Sequence, residues 1–257
     1  MKLLVLGFIA MFKKEVILLR RYFVNSIGGI ITIYFVFMLM FWGYTGLAGA
    51  GVNLGDAVDN LVVGYITWLM LMMAYQTIPD TVLQEAREGT LEQLYMSPLG
   101  FVTLGSFKFI SAVITDMVIV IVMLLLTMLT TGRSLNIDVI SLLPFMVFAI
   151  IGVSGLGFFF GGITLIFKRI QSYLQIMQFA LIALVAASPV GLFRWLPAVL
   201  PAHWIREVMV QGQDLSHVPL GDWLAMLAVA LLSALAGVAM FKLCESKARS
   251  KGILGHF

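Results

Sequence analysis

Long apolar runs separated by short polar clusters set the pattern of this chain. Six runs stand out, at about 27–44, 61–78, 109–129, 139–167, 174–193 and 223–243. Runs of roughly 18–25 apolar residues match a hydrocarbon core of ~30 Å, so each predicts a membrane-spanning helix. Pro79 marks the end of the second run, with Asp80 placed to cap the next helical piece. The fourth run carries Pro144 and Gly152, Gly155, Gly157, Gly161 and Gly162, a pattern consistent with tilt or local unwinding.

Before the first span comes "MKLLVLGFIAMFKKEVILLRRYF". In a helix, Phe12, Val16, Leu19 and Phe23 share one face while Lys13 and Arg20 lie elsewhere. That predicts a helix lying in the membrane interface over about 5–24. The segment mimics a signal peptide up to Phe12 but has no small-x-small cleavage site before its charges, so it is expected to be retained.

Composition agrees with the pattern. Hydrophobic residues make up 61% and charged residues 11% of the 257 positions, against ~45–50% and ~25% in soluble domains. Mean hydropathy is +1.04. The single cysteine, Cys244, excludes a disulfide within one chain. The net charge of +3 is explained by topology rather than nucleic acid. With six spans, one side carries Lys2, Lys13, Lys14, Arg20, Arg21, Arg87, Lys108, Lys168, Arg169, Lys242, Lys247, Arg249 and Lys251, and the other only Arg133, Arg194 and Arg206. The positive-inside rule then predicts a multi-pass protein of the cell inner (plasma) membrane with both termini cytoplasmic.

The same partition puts "EAREGTLEQLYMSPLG", residues 85–100, in the cytoplasm between spans two and three. It reads as a short helix over about 85–97. Thr90 is placed to accept N-terminal amides, although a capping box would want an acid where Gln93 stands. The alternative is a helix already running through Leu83, with Gly89 as a weak point. Pro98, after Ser97, should end it. Leu91, Leu94 and Tyr95 share one face, and Glu88 and Glu92 another. Composition alone leaves two readings open, a solvated amphipathic loop or a docking surface for a cytoplasmic partner.

This segment closely resembles the signature region of the ABC-2 type transporter permeases, the membrane subunits of one class of ATP-binding-cassette exporters. Glu85, Arg87, Glu88, Gly89, Thr90, Leu91, Glu92, Gln93, Leu94, Ser97, Pro98 and Leu99 all fit the signature. The resemblance covers the whole chain. It implies an all-α fold of six transmembrane helices with an N-terminal interfacial helix, a cytoplasmic coupling helix between spans two and three, and re-entrant outer helices between spans five and six. It implies two copies of a cytoplasmic ATPase that carry the ATP and Mg, and a second permease, identical or homologous. Glu85, Arg87, Glu88, Gly89, Thr90, Leu91, Glu92, Leu94, Tyr95 and Pro98 would then couple to the ATPase: Leu91, Leu94 and Tyr95 by burial, and Glu85, Arg87, Glu88 and Glu92 by charge. Arg87 could instead pair with Glu88 or Glu92 within the loop.

No GxxxxGK[ST] motif occurs, so the chain is not expected to hydrolyse ATP itself. Asp116 is the acid placed well inside a span, and such acids are functional candidates by default. His203, Trp204, Arg206 and Glu207 lie in the outer segment, where the resemblance implies a gate. No metal site is expected, because convergent ligands are missing from the pattern. Methionines in the spans, Met70 and Met123 among them, either pack helices or line a pliable apolar pathway. The scarcity of charge in the spans favours a hydrophobic or amphipathic cargo, such as a drug, antibiotic, lipid or glycan. The alternatives are a non-transporting sensory or regulatory subunit of an ATPase complex and an ion-driven carrier, the latter wanting midplane ionisable groups.

Overall fold

The computed structural model describes residues 2–48, 55–90, 94, 96–167 and 170–250. These residues form an all-α bundle with helices α1 (Lys2–Arg21), α2 (Phe23–Ala48), α3 (Gly55–Arg87), α4 (Gly100–Thr131), α5 (Val139–Ile166), α6 (Gln171–Ala186), α7 (Val199–Gln211) and α8 (Leu220–Ser250). Short 3-10 turns at Gly191–Trp195 and Leu215–His217 flank α7. Among the described residues five helices, α2, α3, α4, α5 and α8, are long and apolar enough to cross a membrane.

α3 is the axis of the bundle. In its most apolar stretch 67% of residues are buried, against 6% in α2. Polar side chains tie α3 to its neighbours where water is scarce. Trp68 Nε1 donates to the Gln178 carbonyl at 3.0 Å, and Gln76 Nε2 to Gln178 Oε1 at 2.8 Å, which fastens α6. The Tyr65 hydroxyl donates to the Ile33 carbonyl at 2.6 Å, and the rings of Phe37 and Tyr65 meet at 5.2 Å. Phe37 is the one buried side chain of α2 among its described residues.

Pro79 does not end the second span. α3 continues through it to Arg87, and Asp80 is an exposed position inside the helix rather than a cap. Proline removes the bond that would reach the carbonyl of Tyr75. Gly157 of α5 packs against that carbonyl, so closely that a Cβ there would stand 2.8 Å from it. A freed backbone group inside a bundle is tolerated when a neighbouring helix covers it.

The glycines of α5 likewise mark contact, not unwinding: the helix is continuous over Val139–Ile166. Gly155 and α8 cross backbone to backbone. A Cβ on Gly155 would meet Ser233 O at 2.2 Å, and one on Gly237 would meet Gly155 O at 2.1 Å. Ser233 Oγ donates to the Gly152 carbonyl at 2.7 Å at the same crossing.

The fifth run also ends early. α6 stops at Ala186, where the apolar sequence would have carried it to 193. Pro189 lacks an amide donor and biases Ser188 away from helix, and the backbone turns extended at Ala187. The 16 residues of α6 rise roughly 24 Å, short of the ~30 Å core. The chain then folds back through the 3-10 turn into α7.

Gly155→Val and Gly237→Val are each expected to destabilise the protein by about 3 kcal/mol or more, through forced separation of α5 and α8. Gly64→Ala, at a helical position with nothing within 4 Å of the added Cβ, should leave stability unchanged. Thermal unfolding of the purified variants checks this, and equal melting temperatures for all three would remove the crossing from its central place.

Candidate coupling site

α3 ends by a local rule. Gly89 adopts φ 70°, the left-handed conformation open to glycine. The amide of Thr90 reaches the Glu85 carbonyl at 2.9 Å and that of Gly89 the Ala86 carbonyl at 3.3 Å. This pair of bonds is a Schellman stop. The amide of Leu94 then bonds to the Thr90 carbonyl at 3.2 Å. Ser97, Pro98 and Leu99 form the bend that leads into α4.

The stop fixes what each side chain meets. Glu85 lies on the last turn of α3 and points inward, its side chain only 4% exposed. Lys14 Nζ, from α1, sits 2.6 Å from Glu85 Oε1. Lys108 Nζ, from α4, lies 3.9 Å from the same oxygen and 4.0 Å from Glu15 Oε1. The Thr90 hydroxyl donates to Glu85 Oε2. Two acids and two bases from three helices therefore share one largely buried joint. The void beside it measures about 10 Å³, too small for a cofactor. Among the described residues no group of three or more His, Cys, Asp or Glu is placed to hold a metal ion. The joint ties α1, the end of α3 and the start of α4 together.

Apolar contacts extend it. Gly7 of α1 faces Leu99 and Phe107 closely enough that a Cβ would lie 2.9 Å from Leu99 Cδ1. The rings of Phe8 and Phe107 meet edge to face at 5.9 Å. Leu94 packs, half-buried, against the cluster that holds Ile78, Val82 and Phe101.

The sequence-predicted coupling residues divide accordingly. Glu85 does not face outward; its carboxylate is engaged inside the protein, because the helix continues through Pro79 and turns that position inward. Arg87, Glu88 and Gly89 are exposed, as is Pro98. Glu88 accepts from Gln84 Nε2 at 2.8 Å, and among the described residues Arg87 forms no ion pair. Thr90 is half-buried, and its hydroxyl serves Glu85 rather than a helix N-terminus. Leu91, Glu92 and Tyr95, like Lys168 and Arg169, lie outside the described residues.

Lys14, Glu15 and Lys108 were legible only as topology charges. The one local signal was Glu15, the single acid among the lysines and arginines of α1. Asp116 stands eight residues beyond Lys108 on the same face of α4 and is half-buried. The neighbouring Thr115 hydroxyl bonds to the carbonyls of Ser111 and Ala112 instead of to Asp116.

At the far end of the bundle the outer residues do not converge. The buried Trp204 donates from Nε1 to Asp222 Oδ2 at 2.9 Å, and Arg194 Nη2 bonds to Asp222 Oδ1 at 2.6 Å. Trp204 and Trp223 both stack on Phe145, at 6.2 and 5.3 Å. His203 Nδ1 is 4.0 Å from Glu207 Oε1, a local pair on α7. Arg206 turns the other way and donates to the Val185 carbonyl at 2.9 Å. A bidentate Arg133–Asp59 pair, both bonds 2.6 Å, joins the end of α4 to the start of α3.

Residues 51–239 match the family whose description reads ABC-2 family transporter protein. No match was found among curated proteins.

Glu85→Ala is expected to destabilise the protein by about 3 kcal/mol, since it removes the buried carboxylate shared by Lys14 and Lys108 and leaves Lys108 with Glu15 alone. Lys14→Ala, at a half-exposed position, should shift stability by about 1 kcal/mol or less. Denaturant titration in neutral detergent separates the two, and similar small effects for both would show that the joint holds nothing together.

Proposed function

This chain belongs to the ABC-2 family of transporter proteins, and from that premise we propose that it is the permease subunit of an ATP-driven exporter. A separate cytoplasmic ATPase, in two copies, supplies the energy, and a second permease completes the pathway. The observation that carries the reading is the exposed corner at Arg87, Glu88 and Gly89, one turn beyond the buried joint of Glu85 with Lys14 and Lys108. A partner gripping that corner pulls on α1, α3 and α4 at once, because the joint makes them one piece.

The division of labour within the motif follows. Glu85, Thr90 and Leu94 hold the corner from inside. Arg87 and Glu88, with Leu91, Glu92 and Tyr95 beyond them, meet the ATPase. When the ATPase subunits close on ATP, the corner moves, and α3, the buried axis, carries the motion toward the outer segment. There Asp59–Arg133 and the Asp222 cluster link α3, α4, α7 and α8.

Charge supports the orientation. The Glu85 end of the bundle carries Lys13, Lys14, Arg20, Arg21, Arg87, Lys108, Lys242, Lys247 and Arg249, and the other end Arg133, Arg194 and Arg206. The end rich in lysine and arginine is the cytoplasmic one. In this reading α6 with the following 3-10 turn completes a sixth, shorter crossing, and α7 is a re-entrant outer helix. A hydrophobic or amphipathic cargo suits walls with so little charge.

Purification of the permease from its native membrane should bring down an ATP-hydrolysing subunit. Arg87→Glu and Glu88→Lys should weaken that association by at least about tenfold while thermal unfolding of the permease stays unchanged. If the well-folded wild type brings down no ATPase, the coupling reading is wrong and proton-linked transport through Asp116 becomes the reading to test.

A further inference from the structure

A cleft of about 180 Å³ opens between α2, α3 and α6 at the end of the bundle that holds Arg133 and Arg194. Its walls are Met40, Leu61, Gly64, Tyr65, Trp68 and Ile182, and Arg206 sits at its rim. The polar tips of Tyr65 and Trp68 are already bonded to the carbonyls of Ile33 and Gln178. Both therefore offer the cleft ring surface only. Along α3 the wall from Asn60 to Trp68 extends roughly 12 Å.

Arg206 is out of keeping with this apolar slot. One guanidinium nitrogen reaches the Val185 carbonyl, while Nε is buried with no partner. Among the described residues no carboxylate lies within ion-pair distance of Arg206. Asp59 and Asp222 are taken by Arg133 and Arg194. A guanidinium left short of countercharge beside an apolar slot matches one ligand chemistry: an anionic head with an apolar tail.

We propose that the Arg206 cleft binds an anionic amphiphile, its carboxylate or phosphate head on Arg206 and its chain along Tyr65 and Trp68. Free single-chain acids and two-chain bilayer lipids share that chemistry. The proposal deepens the permease reading and rests on it, since it names the class of molecule that the bundle handles. Gly64 supplies the room: nothing lies within 4 Å of a Cβ built there, so a larger side chain would fill the cleft without disturbing the packing behind it.

The test is native mass spectrometry of the purified chain in neutral detergent, titrated with stearate, with phosphatidylglycerol and with uncharged monostearin. At least one anionic probe should bind about tenfold more tightly than monostearin. Arg206→Gln should abolish that preference, and Arg206→Lys should retain most of it. Gly64→Leu should weaken all binding by about tenfold with an unchanged melting temperature. Binding of stearate alone assigns the cleft to cargo, and binding of phosphatidylglycerol alone assigns it to a bilayer lipid; either supports the shared chemistry. The proposal is overturned if Arg206→Gln keeps the anion preference, which would leave Arg206 as a cap on α6, or if Gly64→Leu binds as well as the wild type. The ATPase is absent from this measurement, so its failure leaves the docking experiment untouched, and failed docking leaves a binding result standing.

Discussion

The backbone crossing of α5 with α3 and α8 is the constraint on which the remainder of this bundle depends. Between helices in lipid, hiding apolar surface gains little, because the surroundings are as apolar as the side chains. Association has to come from close van der Waals contact and from hydrogen bonds. Gly155 and Gly237 allow two backbones to touch, and Ser233 bonds across the same point. Gly157 does the corresponding work against α3, where it covers the carbonyl that Pro79 leaves without a donor. With α3 held on that side, its opposite faces are positioned for α4, α6 and α7.

The two ends of the bundle are closed by charge rather than by shape. Glu85, Lys14, Glu15 and Lys108 form one closure, while Asp59–Arg133 and Arg194–Asp222 form the other. Each pair joins residues distant in sequence. Only for Glu85 and Lys108, both buried, is the loss of one partner far more damaging than the loss of an exposed pair would be. Under the proposed function, a corner backed by such a closure would transmit force, and the exposed Arg87 and Glu88, rather than the buried Glu85, would be the contact for the ATPase.

α2 stands apart from this framework. It rests lightly on α4 and on α3, where Phe37 meets Tyr65 and the Tyr65 hydroxyl bonds to the Ile33 carbonyl. Its loose seating leaves the cleft beside Met40 open, with Arg206 at the rim. A second apolar cavity of about 490 Å³ lies on the other side of α3, lined by residues such as Met70, Val120, Leu142 and Met209. Those methionines face a void, as a pliable lining would, whereas Met123 is packed in the core.

The sequence alone determined that the chain is helical and multi-spanning, since apolar runs of membrane length admit few other structures. It also determined the family, through the residues around Gly89, whose left-handed turn leaves a local signature. It misjudged Pro79 and the end of the fifth run. A proline's effect depends on whether a neighbour covers the freed carbonyl: Gly157 does so for Tyr75, and beyond Ala186 the backbone instead turns extended before Pro189. It also set Glu85 outward with Arg87 and Glu88, because spacing within one segment does not reveal which side another helix occupies. Only the tertiary structure brought Lys14 and Lys108 to Glu85, 71 residues apart in the first case, and left Arg206 without a countercharge among the described residues. Hydropathy is a property of each position, whereas ion pairing and close approach are properties of two, and the second partner is chosen only when the chain is folded.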